Sequence, residues 1–268
     1  MGQLHFAVAS TFSPRFRGVI MEADRVARLF NARLSVLHAG EKTPEKIKTF
    51  ADIFADMGRK DVEIFWCEGS TSVEALLDAA SSEEFDLFIA GTIPRAEDHR
   101  NFTGSIVREL FTRTPCDLLL IPDPKEDVHE EISVCLLLEA HSPRWRAAEE
   151  SLRHLKPAKL SILAADSPFA MAKSRTSEGE TLEEIAERLG EVVPEVDLQV
   201  VKSNTGFLLC DILQSSEPDF IMVESEWKNR HRVVPIHLGW LEQVIPGRLF
   251  LFGKPPRGVK ETTTLGLA

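Results

Sequence analysis

The sequence lacks the groupings that mark the common catalytic and metal chemistries. Its 268 residues contain four cysteines, Cys67, Cys116, Cys135 and Cys210, far apart and with no CxxC pair. A reduced intracellular protein is therefore the expectation. There is no GxxxxGK[ST] run and no GxSxG elbow, which excludes a Walker A loop and the common hydrolase nucleophile. No HxxxH or paired-cysteine spacing offers a metal site. No segment is long and apolar enough for a membrane span, and the opening MGQLHFAVAS lacks the basic and apolar regions of a secretory signal. Phe6 stands where a myristoylated terminus carries Ser or Thr. Positive charge is the minority sign: 31 Lys+Arg face 42 Asp+Glu, a net charge of −11 with histidine neutral. General binding to nucleic acid or to an anionic membrane is disfavoured.

What is present is apolar sequence, 43% of the chain. That suffices for one large core or two ordinary ones. Leu4–Ala9, Leu34–His38, Val62–Cys67, Phe85–Ala90 and Asp117–Ile121 read as strands. Between them lie helical periods, the first with Phe16, Val19, Ile20, Ala23, Val26, Ala27 and Phe30 on one face. Ser13-Pro14, Thr43-Pro44 and Thr71-Ser72-Val73-Glu74 supply helix starts. Strand and helix alternate through about five units, which predicts a mostly parallel sheet covered on both faces.

An acidic run at 123–130 reads as a linker, and the pattern then repeats. Ser13-Pro14-Arg15-Phe16-Arg17 returns as Ser142-Pro143-Arg144-Trp145-Arg146, and Arg33-Leu34-Ser35-Val36-Leu37 as Lys159-Leu160-Ser161-Ile162-Leu163. Asp86-Leu87-Phe88-Ile89 returns as Asp219-Phe220-Ile221-Met222. Two diverged copies follow, 1–122 and 131–253, with a mobile tail at 254–268. The expected fold is Rossmann-like α/β, two repeated five-stranded sheets flanked by helices. The edge strands Asp117–Ile121 and Arg248–Phe252 are expected to pair antiparallel and hide two edges, making an intramolecular pseudo-dimer.

Ligands of such sheets sit outside the carboxyl ends of the strands. The stretch from Gly91-Thr92 to Gly104-Ser105 leaves one strand and enters a helix whose first N–H groups suit an anion. The alternative is a simple cap by Thr103 or Ser105, with Gly104 permitting a turn. Arg95, His99 and Arg100 add positive charge, opposed by Glu97 and Asp98. His38 ends the second strand, either at a ligand's edge or as a satisfied histidine. Asp86 and Asp219 read as caps or loop contacts. In the second copy, Trp227 with Lys228, Arg230, His231 and Arg232 is either a partner- or anion-binding patch or a cover over the sheet edge. No catalytic residue or metal ligand set emerges, and no cofactor is firmly indicated.

Each copy resembles a universal stress protein domain, over about residues 3–122 and, less closely, 131–253. The resemblance rests on Gly91-Thr92, on Gly104-Ser105 at the family's spacing, on Val107, and on the run Thr114–Ile121. It implies a stress-adaptation protein of the cytoplasm and a crevice formed by Ala9, Ser10, Thr11, His38, Gly91, Thr92, Arg95, Gly104, Ser105 and Val107. Nucleotide-binding members wrap phosphates with a glycine-rich segment and hold the nucleoside with an aspartate ending the first strand. Here Pro94 and Glu97 replace the middle glycines, and Ala9 stands at the aspartate position. The resemblance therefore implies action through protein partners or small-ligand sensing, without a conventional ATP site. The alternative is a member that binds ATP or another adenine nucleotide through the first copy, with weak hydrolysis. A homodimer of chains is a further expectation.

Overall fold

The computed structural model describes residues 3–10, 12–13, 15–92, 104–124, 131–140, 144–166, 180–202, 206–229 and 231–253. The N-terminal half runs β1 (His5–Ser10), α1 (Phe16–Leu29), β2 (Arg33–Ala39), α2 (Pro44–Asp56), β3 (Glu63–Cys67), α3 (Ser72–Ser82), β4 (Leu87–Gly91), α4 (Ser105–Arg113) and β5 (Asp117–Ile121). The C-terminal half continues with β6 (Ser133–Glu139), α5 (Arg146–Leu155), β7 (Lys159–Asp166), α6 (Leu182–Gly190), β8 (Glu195–Lys202), α7 (Phe207–Ser216) and β9 (Phe220–Glu224). A small hairpin of β10 (Glu226–Lys228) and β11 (His231–Val233), a 3-10 helix (Ile236–Glu242) and β12 (Leu249–Phe252) complete it.

The expectation of two separate five-stranded sheets is corrected. There is one ten-stranded sheet, in the order β3-β2-β1-β4-β5-β12-β9-β6-β7-β8. Within this sheet the strands of each half are parallel, whereas β5 and β12 pair antiparallel, with Leu249 opposite Leu120 and Leu251 opposite Leu118. Two last strands, each with unpaired backbone groups, satisfy one another and erase both edges. The cores merge in the same way. Val19, Ile20 and Phe50 share one buried layer with Leu152 and Ile185, while Leu76 and Phe111 share the opposite layer with Leu213 and Leu241.

Local chemistry explains most of the elements. Thr43 accepts from the Lys46 N–H at 3.4 Å with Pro44 opening α2, and Thr71 accepts from the Glu74 N–H at 3.2 Å to start α3. Ser13 does not cap α1: Arg15 occupies the N-cap without a side-chain bond. Asp86 accepts from the His5 N–H and Asp219 from the Ser133 N–H, both at 2.9 Å, tying each fourth strand to the first strand of its half.

Arg232 is not part of a solvent-facing basic patch, whereas Lys228 and His231 are exposed and Arg230 lies outside the described residues. Arg232 is 1% exposed. Its guanidinium donates to Ser225 Oγ at 2.7 Å, to the Thr114 carbonyl at 3.3 Å, and to the Cys116 carbonyl. It also lies 5.5 Å from the Trp227 ring centroid. Burial pushes it down to about 10, so it remains protonated at neutral pH. A second buried tie is the ion pair between Glu22 on α1 and Arg248 before β12. Both arginines span the seam where the two halves meet.

Candidate functional site

Parallel strands place their carboxyl ends along one rim, and the helices that follow begin there. Above β1 and β4 this rim holds a cavity of about 240 Å³ between the starts of α1 and α4. Ala9, Ala90, Leu76 and Leu110 form an apolar floor, and Phe16 and Val19 form the α1 wall. Gly91, Thr92, Gly104, Ser105 and Val107 close the α4 side. The mouth is bordered by Arg15, whose guanidinium also donates to the Pro122 carbonyl at 3.0 Å and to Asp123 at 3.1 Å.

Two features give the cavity polar character. Gly104 is the N-cap of α4, where no side-chain bond is made; of the two expected caps, Ser105 stands inside the helix and Thr103 lies outside the described residues. The Arg108 N–H bonds back to Gly104, leaving the earlier N–H groups of the first turn without intrahelical acceptors. The positive end of the helix dipole therefore faces the cavity. Thr92, 6% exposed, carries an Oγ1 with no hydrogen-bond partner. A buried, unsatisfied hydroxyl costs roughly 1–3 kcal/mol, and a ligand with an acceptor or donor there would offset that.

The two glycines differ in purpose. A Cβ on Gly91 would sit 2.7 Å from Val19 Cγ2, so its small size serves the packing of β4 under α1. A Cβ on Gly104 would meet nothing within 4 Å among the described residues. Gly104 thus leaves open space at the helix start.

Beside the cavity, and sharing Phe16 with its α1 wall, Phe12, Phe16, His38, Phe50 and Trp66 form a continuous ring cluster. Phe12 stacks on Phe16 at 4.5 Å and meets His38 edge-on at 5.1 Å, and His38 meets Trp66 at 5.2 Å. Phe12 has φ 52, an uncommon left-handed conformation for a bulky residue. The Ser10 carbonyl can only accept, so His38 Nδ1 donates to it at 3.0 Å. Nε2 is then a bare acceptor, buried and without a partner, as is Ser10 Oγ. Burial holds the His38 imidazole below its ordinary pKa.

Of the residues singled out in the sequence, Ala9, Gly91, Thr92, Gly104, Ser105 and Val107 line the cavity. Ser10 and His38 lie next to it, under the rings. Thr11 and Arg95 fall outside the described residues, as do the 123–130 linker beyond Pro124 and the tail. Sequence reasoning missed Arg15, Phe16 and Val19 as walls, although a helix that starts directly after β1 must present its first turn to that rim.

Another serine–histidine contact is not a nucleophile pair. His5 Nε2 lies 2.8 Å from Ser35 Oγ, but Arg33 approaches Nδ1 at 2.9 Å. A guanidinium only donates, so Nδ1 accepts and Nε2–H donates to Ser35, leaving no base for the hydroxyl. The four cysteines are free and buried, and burial pushes the Cys67 thiol up to about 11. Among the described residues no group of His, Cys, Asp and Glu could hold a metal ion, and no helix is long and apolar enough to cross a membrane.

No family model matches the chain, and no curated protein matches it in sequence. Solved structures do match its fold. A universal stress protein from Archaeoglobus fulgidus DSM 4304 is 12% identical over 94% of this chain and 98% of that one, with a TM-score of 0.70. A functionally unknown protein from Pseudomonas aeruginosa PAO1 is 9% identical over 94% and 93%, with a TM-score of 0.69. A candidate universal stress protein from Pseudomonas aeruginosa UCBPP-PA14 is 10% identical over 94% of each, with a TM-score of 0.68. At these identities the likeness is one of fold: the chain has the α/β, Rossmann-like architecture of universal stress proteins.

Proposed function

We propose that this is a cytoplasmic stress-adaptation protein that senses a small anionic ligand in the α1/α4 cavity and acts through protein partners, without a conventional ATP site. Its two universal-stress-type copies, 1–122 and 131–253, act as an intramolecular pseudo-dimer, and two chains associate further. The observation that carries the sensing role is the Thr92 hydroxyl, buried and unpartnered, beside the uncapped start of α4. The apolar floor favours a short carboxylate or monoester with an apolar body over a polyphosphate. The ring cluster of Phe12, Phe16, His38, Phe50 and Trp66 occupies the space after β2, and Ala9 carries no group for a ribose. Both count against an adenine nucleoside. The nucleotide alternative draws its support from Gly104, whose open surroundings leave the α4 backbone accessible to a phosphate.

Native mass spectrometry of protein purified without added ligand, followed by calorimetry, separates these readings. A retained small acid, or saturable heat with phenyl phosphate or butyrate that disappears in Thr92→Val, supports sensing. Saturable heat with ATP, ADP or AMP that is lost in Gly104→Val moves the assignment to the nucleotide. Silence towards all five probes, with no retained mass, removes the ligand role. The same spectra report the oligomeric state.

A further inference from the structure

A second cavity, of about 260 Å³, lies on the seam between the halves, away from the carboxyl rim. Its walls come from the starts of β1, β4 and β5 on one side and from α5 and β12 on the other. Three carboxylates line it: Asp86, Asp117 and Glu150. Among the described residues no lysine or arginine does, and His154 lines it as well. Three phenylalanines supply the apolar surface. Phe30 is their hub, edge-on to Phe6 at 5.4 Å and 6.3 Å from Phe250, and it stacks on His154 at 5.1 Å.

The carboxylates are unequally engaged. Asp86 accepts from the His5 N–H and Asp117 from the Gly253 N–H at 3.1 Å, and Asp117 also feels the buried Arg232 charge. Glu150, exposed on α5, has no hydrogen bond or ion pair among the described residues. Ser151 beside it is only 9% exposed, lines the cavity, and its hydroxyl has no hydrogen-bond partner among the described residues. Unlike Thr92 Oγ1, it is not sealed from solvent, so it is open to a ligand in the cavity.

We propose that this seam cavity binds a small organic cation, a protonated primary amine carried on an aromatic or aliphatic body. The carboxylates supply charge-assisted acceptors, with Glu150 as the free one, and Ser151 Oγ accepts a further ammonium N–H. The phenylalanine rings receive the body and add cation–π attraction. A cavity of about 150 Å³ holds benzene, so this one has room for a single ring with a short aminoalkyl arm. Because the walls belong to both halves, occupancy would strengthen the seam, which is a reason for a ligand to sit there. The site is independent of the α1/α4 cavity and takes the opposite charge.

Titration of the whole protein with phenethylamine, 2-phenylethanol and cadaverine, followed by calorimetry and by the melting temperature, tests this. Saturable binding of phenethylamine, with the neutral alcohol weaker by about tenfold or more, is the expected result. Glu150→Gln, on an exposed position that leaves the fold intact, should weaken the amine about fivefold or more, and Ser151→Ala should weaken it further. Thr92→Val should leave amine binding unchanged, which separates this site from the sensing role. The proposal is overturned if neither amine binds saturably, if alcohol and amine bind equally, or if Glu150→Gln combined with Ser151→Ala binds as the parent does.

Discussion

The two halves of the sheet finish their carboxyl rims in opposite ways. In the N-terminal half the rim stays open, with a cavity walled by α1 and α4 and three unpartnered buried polar atoms near it, Ser10 Oγ, His38 Nε2 and Thr92 Oγ1. In the C-terminal half the corresponding chain, from β9 onward, folds back as the β10–β11 hairpin and a 3-10 helix. Val234, Leu238 and Leu241 are buried there, and the Trp240 ring lies against Gly206 at the start of α7, where an added Cβ would fall 2.2 Å from it. Both halves hold buried polar atoms without partners, Arg232 Nε and Trp240 Nε1 in the second, but the first leaves a cavity beside its own and the second fills the same place with its own side chains. One rim is thus left open, and the other is closed by the chain's own packing.

The largest expected effect falls on the closed half. Arg232→Met removes donors to Ser225 and to the Thr114 and Cys116 carbonyls, leaving buried acceptors unpaired across the seam. A loss of about 4 kcal/mol is expected. Urea unfolding followed by circular dichroism and by tryptophan fluorescence measures it. If the loss is below about 1 kcal/mol, the seam does not depend on the buried arginine.

Trp240→Ala sharpens the contrast between open and filled rims. Removing the ring beside Gly206 should cost about 2–3 kcal/mol and leave a cavity at the α7 start. Indole at millimolar concentration should restore part of the melting temperature in this variant and not in the parent. Without such rescue the second rim is covered by more than its own tryptophan.

Next in size comes Gly91→Ala, where the new Cβ meets Val19 Cγ2. Overpacking of this kind costs about 2 kcal/mol, and Val19→Ala in the same chain should recover much of it. Gly104→Ala, facing open space, should cost well under that. Thermal melts of the three variants decide whether the two glycines differ as their surroundings say.

The fold was legible where burial dictates sequence. Asp117–Ile121 is a nearly unbroken apolar run because parallel strands are covered on both faces, and Thr43-Pro44 announces its helix by capping chemistry. The antiparallel meeting of β5 and β12 was legible too, because each ends its own run of units; that the pairing fuses two sheets into one is its consequence. Arg232 was not legible. A charged residue in a polar stretch reads as surface, and the carbonyls that sequester it belong to Thr114 and Cys116, more than a hundred positions away. The candidate cavity was partly legible through Gly91, Thr92, Gly104 and Ser105. Its α1 wall and the ring cluster depend on how Phe12 and Phe16 turn, which no local pattern records.

The smallest effect on stability carries the most information about the open rim. Thr92→Val replaces a buried hydroxyl with a methyl group of nearly the same shape. If Thr92 served the fold alone, through a bond to the protein, its loss would destabilise by about 1 kcal/mol. With Oγ1 unpartnered, removing it should instead be neutral or stabilising by up to about 1 kcal/mol. The same substitution should abolish binding of the small acid. Stability maintained or raised together with lost binding is the signature of a group kept for a ligand at some cost to the fold. A destabilised Thr92→Val with ligand binding intact would place Thr92 among the ordinary core contacts, and the difference between the two rims would then be one of packing alone.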